Sequence, residues 1–100
     1  MRIEYADDTL RRAAEERGFL PKQWGPELLK AYRKKVGFLA QANDDRDLYN
    51  YKALHLEKLS GDRRGTSSVR LNSQFRLILN FRTDPTGRTV IVLDVTNHYH

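Results

Sequence analysis

The first half of the chain carries apolar side chains at the spacing of amphipathic helices. A long helix is predicted from Pro26, at its first position, to about Ala42, because apolar residues recur every three or four positions. A shorter helix is predicted after Asp7 and Asp8, the N-cap candidates, with Gly18 placed as its C′ residue. The apolar positions are Leu10, Ala13 and Ala14 in the short helix, and Leu28, Leu29, Tyr32, Val36, Leu39 and Ala40 in the long one.

The second half changes to the two-residue period of β-strands. Over residues 75–82, Phe75, Leu77, Leu79 and Phe81 alternate with Arg76, Ile78, Asn80 and Arg82. Further strands are predicted over residues 2–6, 54–56, 67–71 and 89–96, with turns at 72–73 and 84–87. This order predicts an α+β fold, in which two N-terminal helices pack on one face of an antiparallel sheet of about four strands. The length of 100 residues predicts one domain over residues 1–100.

The composition excludes several classes of protein. Hydrophobic residues make up 39% and charged residues 31% of the chain, and no apolar run approaches the ~18 residues of a membrane span. The first residues contain no apolar segment of the kind found in signal peptides, so we expect a cytoplasmic protein. Cysteine is absent, which excludes a disulfide framework, a thiolate nucleophile and a cysteine-based zinc site.

Most of the positive charge lies in one third of the chain. The formal net charge is +5, and residues 51–82 alone carry seven Lys or Arg against two acidic residues. Such a block suits a polyanion, most often nucleic acid, or an acidic protein partner, and a solvated basic face without a partner stays open. Tyr49 and Tyr51 flank a predicted loop next to this block, where partial burial is favoured over base stacking.

The chain ends in a cluster that can transfer protons. His98 and His100 are two positions apart on an extended segment, and His55 lies in another predicted strand. Three interpretations stay open here: a polar terminus, a metal site, and an acid and base acting on RNA. Cleavage of RNA by its own 2′-OH requires a base, an acid and cations beside the phosphate. Arg70 and Arg76, on adjacent predicted strands, can hold a phosphate through two hydrogen bonds each.

Several short motifs together resemble a known family. These motifs are the run Leu-His-Leu-Glu-Lys-Leu-Ser-Gly-Asp-Arg-Arg-Gly over 54–65, Ser-Val-Arg-Leu-Asn over 68–72, Gln-Phe-Arg-Leu over 74–77 and the terminal Tyr-His. They resemble the HigB branch of the RelE/ParE toxin superfamily. The resemblance covers residues 54–82 and 95–100, whereas the helical half is similar in order and length only.

The resemblance implies a RelE-like fold and the toxin of a type II toxin–antitoxin system. Such toxins bind the ribosomal A site and cleave the mRNA there, without a metal or other cofactor. A helix-turn-helix antitoxin, HigA-like, neutralises the toxin, and operator DNA is bound only by the toxin–antitoxin complex. The implied catalytic residues are His100, Tyr99, Arg76, Arg70, His55 and His98, and the implied phosphate-binding residues are Lys58, Arg63, Arg64, Arg70 and Arg76.

The chain departs from the family pattern at three positions. His98 stands where the family has an acidic residue, and Ser60 stands where a lysine is common. The family's histidine near the start of the central block corresponds to His55, or to Glu57 in another register. Which histidine is the base and which the acid stays open. Two other functions also stay open: a ParE-like toxin that inhibits DNA gyrase without nuclease activity, and a non-catalytic basic domain that binds nucleic acid.

Overall fold

One five-stranded sheet forms the frame of the molecule. The computed structural model describes residues 1–97, apart from the side chain of Asp62. The strand order is β1-β5-β4-β3-β2, and β1 runs parallel to β5 while the other pairs are antiparallel. The strands are β1 (Arg2–Tyr5), β2 (Glu57–Lys58), β3 (Ser67–Arg70), β4 (Phe75–Asp84) and β5 (Gly87–Asn97).

The described part of the chain contains three helices, α1 (Asp8–Glu15), α2 (Pro26–Gln41) and α3 (Asp45–Tyr49), and two 3₁₀ turns at Lys52–Leu54 and Gly61–Arg63. The carboxylate of Asp7 caps α1 by accepting from the Leu10 N–H at 2.8 Å. Pro26 occupies the first turn of α2, where a missing N–H costs nothing. None of these helices is both long and apolar enough to span a membrane.

The buried apolar side chains form one core between the helices and one face of the sheet. Leu77 and Leu79 of β4 point into it, whereas the alternating Arg76 and Ile78 point to the opposite face. The core contains Leu10, Ala13, Leu28, Leu29, Tyr32, Val36, Leu39, Val69, Val90 and Val92. The helices therefore cover one face and leave the other available for a site.

Polar contacts clamp α1 onto α2. The hydroxyl of Tyr32, whose side chain is fully buried, donates to the Leu10 carbonyl at 2.7 Å. Arg33 donates to the carbonyls of Ala13 at 2.8 Å and Glu16 at 2.7 Å, beyond which α1 ends. These carbonyls have no partner within α1, so Arg33 acts as a side-chain cap.

The α+β class, with two helices over one face of the sheet, is confirmed, and so is the hairpin turn at 84–87. Asp84 pairs with Gly87 there, and hydrogen bonds from Thr86 hold the pKa of the Asp84 carboxyl below its usual value. The sheet differs from the prediction in having five strands, because β1 adds to β5 in parallel.

Two local predictions were wrong. Gly18 is not the C′ residue of α1: the helix ends at Glu15 with Glu16 as its C-cap, and the carbonyls beyond are satisfied by Arg33. His55 is not on a strand. It closes the first 3₁₀ turn with a left-handed backbone at φ 48°, because the chain must reverse between Leu54 and β2.

Candidate functional site

A cleft of about 400 Å³ lies on the face of the sheet that the helices leave uncovered. Its floor is Ile78 on β4, flanked by Ser68 on β3 and by Thr96 on β5. The segment from β2 to the second 3₁₀ turn forms the rim, with Glu57 and Arg63. We call this the strand-face cleft. It gathers cations, a carboxylate and hydroxyl groups on a rigid sheet.

Arg76 is the anchored cation of the strand-face cleft. Its Nε donates to Ser68 Oγ at 2.8 Å, and its Nη2 donates to the His55 carbonyl at 2.6 Å. The same Nη2 lies 3.0 Å from Glu57 Oε1, and only 11% of the Arg76 side chain is exposed. Because three groups fix the guanidinium, its orientation is set before any ligand arrives.

His55 contributes to the cleft through its backbone. It is the one non-glycine residue with positive φ among residues 1–97, and this conformation turns its carbonyl to Arg76. The imidazole is exposed and is not among the side chains that line the cleft. A residue held in a sparsely populated conformation beside a cleft is a common feature of functional sites.

A bulge in β5 decides which side chains of the last strand face the cleft. Ile78 pairs with Asp94 but Leu79 pairs with Val92, so Leu93 is an extra residue. The extra residue turns Asp94 and Thr96 to the cleft face and Val95 toward the core. Asp94 Oδ2 lies 3.6 Å from Arg63 Nη2, so both arginines of this cleft have an acidic neighbour.

A second cleft, also of about 400 Å³, lies on the other side of the β2 edge. Lys58 and Arg64 line it together with Tyr49 and Arg88. Because it borders α3, we call it the α3-side cleft. Leu59 lines both clefts, so they lie back to back across the same segment.

Comparison with known families decides what kind of protein this is. The model of the HigB-like toxin family, described as the RelE-like toxin of type II toxin–antitoxin system HigB, matches residues 3–98. The chain belongs to the HigB-like toxin family. The match includes the helical half, so it extends the resemblance noted over residues 54–82 and confirms it.

Solved structures share the fold of this HigB-like toxin. The YoeB/ParE toxin from Agrobacterium tumefaciens is 16% identical to it, with a TM-score of 0.54 over 99% of this chain and 100% of that one. A chain of the toxin–antitoxin complex RelBE2 from Mycobacterium tuberculosis is 21% identical, with a TM-score of 0.46 over 97% and 96%. YafQ from E. coli strain BL21(DE3) is 13% identical, with a TM-score of 0.48 over 98% and 94%. No curated protein matches the chain.

The predicted phosphate-binding residues of this HigB-like toxin do not form one cluster. Arg63 and Arg76 line the strand-face cleft, whereas Lys58 and Arg64 line the α3-side cleft. Arg70 is directly opposite Arg76 in the sheet register, but its Nε donates to the Asn72 carbonyl at 3.2 Å and its side chain lines neither cleft.

The electrostatic environment of Arg70 connects it with α2. Burial, the charge of Lys34 and the charge of Arg70, in that order, lower the pKa of Lys35. Arg70 therefore contributes to a crowded positive surface that continues onto the helix of this toxin.

The terminal residues His98, Tyr99 and His100 lie outside the described residues. Thr96 and Asn97, the residues before them, line the strand-face cleft. Among the described residues, no group of three or more His, Asp or Glu side chains is placed to hold a metal ion.

Sequence reasoning missed the roles of Glu57, Ser68 and Asp94. Their positions follow from the pairing of Glu57 with Ser68 and of Ile78 with Asp94, which composition does not reveal. One signal was present: Val90 and Val92 keep the two-residue period, but the next core valine is Val95. A step of three within a strand indicates a bulge.

Proposed function

We propose that this HigB-like toxin is a ribosome-dependent mRNA endoribonuclease that cleaves through attack of the RNA 2′-OH, without a metal or other cofactor. One observation carries the proposal. The strand-face cleft combines the fixed guanidinium of Arg76 with the carboxylate of Glu57 and is lined by Thr96 and Asn97. The next three residues of the sequence are His98, Tyr99 and His100.

The chemistry needs only groups of this kind. The 2′-oxygen bonds to phosphorus as its proton passes to a base, and the bond from phosphorus to the 5′-oxygen breaks as an acid protonates that oxygen. The products are a 2′,3′-cyclic phosphate and a 5′-hydroxyl. Arg76 and Arg63 would stabilise the charge on the phosphate oxygens.

The proton-transfer roles fall to groups at or next to the cleft. Glu57 supplies the carboxylate that lines the cleft within the described residues, and its side chain is 58% exposed, so RNA can reach it. His100 would act as the acid or base with His98 as its alternative partner, and Tyr99 would stack on a base or assist proton transfer. The exposed position of the His55 imidazole favours Glu57 over His55 as the base.

The partners of the toxin follow from the family and from its charge. We propose that a HigA-like helix-turn-helix antitoxin neutralises it, and that operator DNA is bound only through that complex. The single domain of residues 1–100 would act in the cytoplasm on mRNA in the ribosomal A site. The excess of basic residues over 51–82 supports binding to ribosomal RNA, with an affinity that falls as salt rises.

Primer extension on a defined mRNA tests this proposal, using purified toxin with and without programmed ribosomes. We expect cuts within codons only when ribosomes are present. Arg76→Lys keeps the charge but loses the planar fork, so its cleavage rate should fall at least tenfold. His100→Ala should abolish the cuts.

The matched control is Arg82→Lys, because Arg82 pairs with Glu4 away from both clefts. It should cut at the wild-type rate. Arrest of growth by a toxin that makes no cuts would reject the nuclease and point to a gyrase inhibitor. Loss of both would leave a basic binding domain.

A further inference from the structure

The α3-side cleft takes its positive charge from the strand alternation at the sheet edge. Glu57 pairs with Ser68, on the cleft face of Arg76, whereas Lys58 pairs with Ser67 and points to the other face. Lys58 therefore serves a different cleft from Arg76, although only the short strand β2 separates them along the sheet.

Two cations of the α3-side cleft have no acidic partner within residues 1–97. Lys58 and Arg64 are both exposed, and neither forms an ion pair with a described side chain. Arg88 differs, because the two oxygens of Asp45 accept from it at 3.1 and 3.0 Å. The Lys58 and Arg64 pair is thus the part of this cleft that can take up a new anion.

The rest of the cleft offers surfaces that suit a nucleobase. Tyr49 lines it with 52% of its surface exposed, and Phe81 lies in it with the Arg88 guanidinium carbon 5.6 Å from its ring centre. The side-chain amide of Asn80 also lines it and makes no hydrogen bond to any described residue. An aromatic ring and a free amide can stack on a base and pair with its edge.

We propose that the α3-side cleft binds one nucleotide of single-stranded RNA, with the phosphate on Lys58 and Arg64 and the base against Tyr49. The cleft volume of about 400 Å³ lies within the range of small-ligand sites. The proposal rests on RNA being the substrate, and it deepens that function: RNA held in the strand-face cleft continues over the shared Leu59 into this one. The exposed tyrosine and the free amide favour a nucleotide over an acidic peptide, which needs neither.

The test is a titration of ¹⁵N-labelled toxin with a 2′-O-methyl RNA hexanucleotide, followed by NMR. This RNA cannot be cleaved, so its binding is measured independently of nuclease activity. We expect shifts of the Thr66 and Asn80 amides. Tyr49→Leu should weaken binding about tenfold, while Tyr49→Phe keeps the stacking and stays within twofold.

The double variant K58Q/R64Q tests the phosphate site. Binding should weaken at least tenfold, and the slope of log Kd against log salt should fall by about one. The matched control is K30Q/K34Q, which removes the same charge from the exposed face of α2, outside both clefts. Its affinity should stay within twofold of wild type.

Three results would overturn the proposal: no measurable binding, equal weakening by the two double variants, or tighter binding of a hexaglutamate peptide at the same amides. If the toxin binds this RNA but never cuts mRNA on ribosomes, the nuclease proposal fails and the nucleotide site stands. If it cuts mRNA while the Tyr49 and K58Q/R64Q variants bind and cut normally, the nucleotide site fails alone.

Discussion

At the scale of single residues, backbone conformation and side-chain chemistry share the work at the strand-face cleft. His55 was predicted as a proton-transfer residue because of its imidazole. The structure instead shows its carbonyl accepting from Arg76 at 2.6 Å, from a left-handed backbone. Histidine adopts that conformation more readily than most residues, although less readily than asparagine or glycine. The residue type therefore suits the backbone as well as it suits catalysis.

Substitutions at His55 separate these two roles. Asparagine and glycine tolerate positive φ but have no imidazole, so we expect His55→Asn and His55→Gly to cut mRNA within threefold of wild type. The β-branched His55→Val is strained there by about 1–3 kcal/mol and should displace the carbonyl, which lowers cleavage at least tenfold. Rates from primer extension on programmed ribosomes provide the measurement.

A catalytic imidazole gives the opposite order. Loss of a general base typically costs about 10²–10⁴ in rate. If His55→Asn and His55→Gly fall by that much while their unfolding midpoints match wild type, His55 is the base and its backbone role is secondary.

At the scale of elements, local patterns predicted more than long-range pairing. The helix from Pro26 and the hairpin at 84–87 depend on capping, periodicity and turn residues close together in sequence, and both are confirmed. The parallel pairing of β1 with β5 joins residues nearly 90 positions apart, and no local pattern encodes it. The left-handed His55 likewise follows from how the chain returns to β2, not from its neighbours.

The clamp between α1 and α2 was not predictable either, because Arg33 reads as one more charged position on a helix. Arg33→Met should lower the free energy of unfolding by about 1–3 kcal/mol, since the carbonyls of Ala13 and Glu16 lose their charged donor. Urea unfolding measures the loss. Lys34→Met is the control, because Lys34 is exposed on the same helix. Equal stability of the two variants would contradict a clamping role for Arg33.

At the scale of the whole molecule, the fold class and the basic character of the second half could be predicted. The distribution of that charge could not. Lys58, Arg63, Arg64 and Arg76 read as one basic block in sequence, but the sheet edge divides them between two clefts. The division follows from strand alternation at β2, which has only two residues and leaves too weak a pattern to recognise.

The proposed order of function on this molecule runs from the α3-side cleft to the strand-face cleft across Leu59. Both clefts lie beside the segment from β2 to the second 3₁₀ turn. Binding and cleavage are therefore expected to depend on the same segment through different side chains, with Lys58 and Arg64 serving affinity and Arg63 and Arg76 serving rate.

The most direct measurement of the central proposal uses an mRNA with a single 2′-deoxynucleotide at the cleaved position. Wild-type toxin and programmed ribosomes are mixed with this mRNA or with the unmodified one, and cuts are mapped by primer extension. We expect the unmodified mRNA to be cut only on ribosomes, and the deoxy position to resist, because the nucleophile is missing. A cut that persists at the deoxy position, or a growth-arresting toxin that cuts neither mRNA, would contradict the proposal.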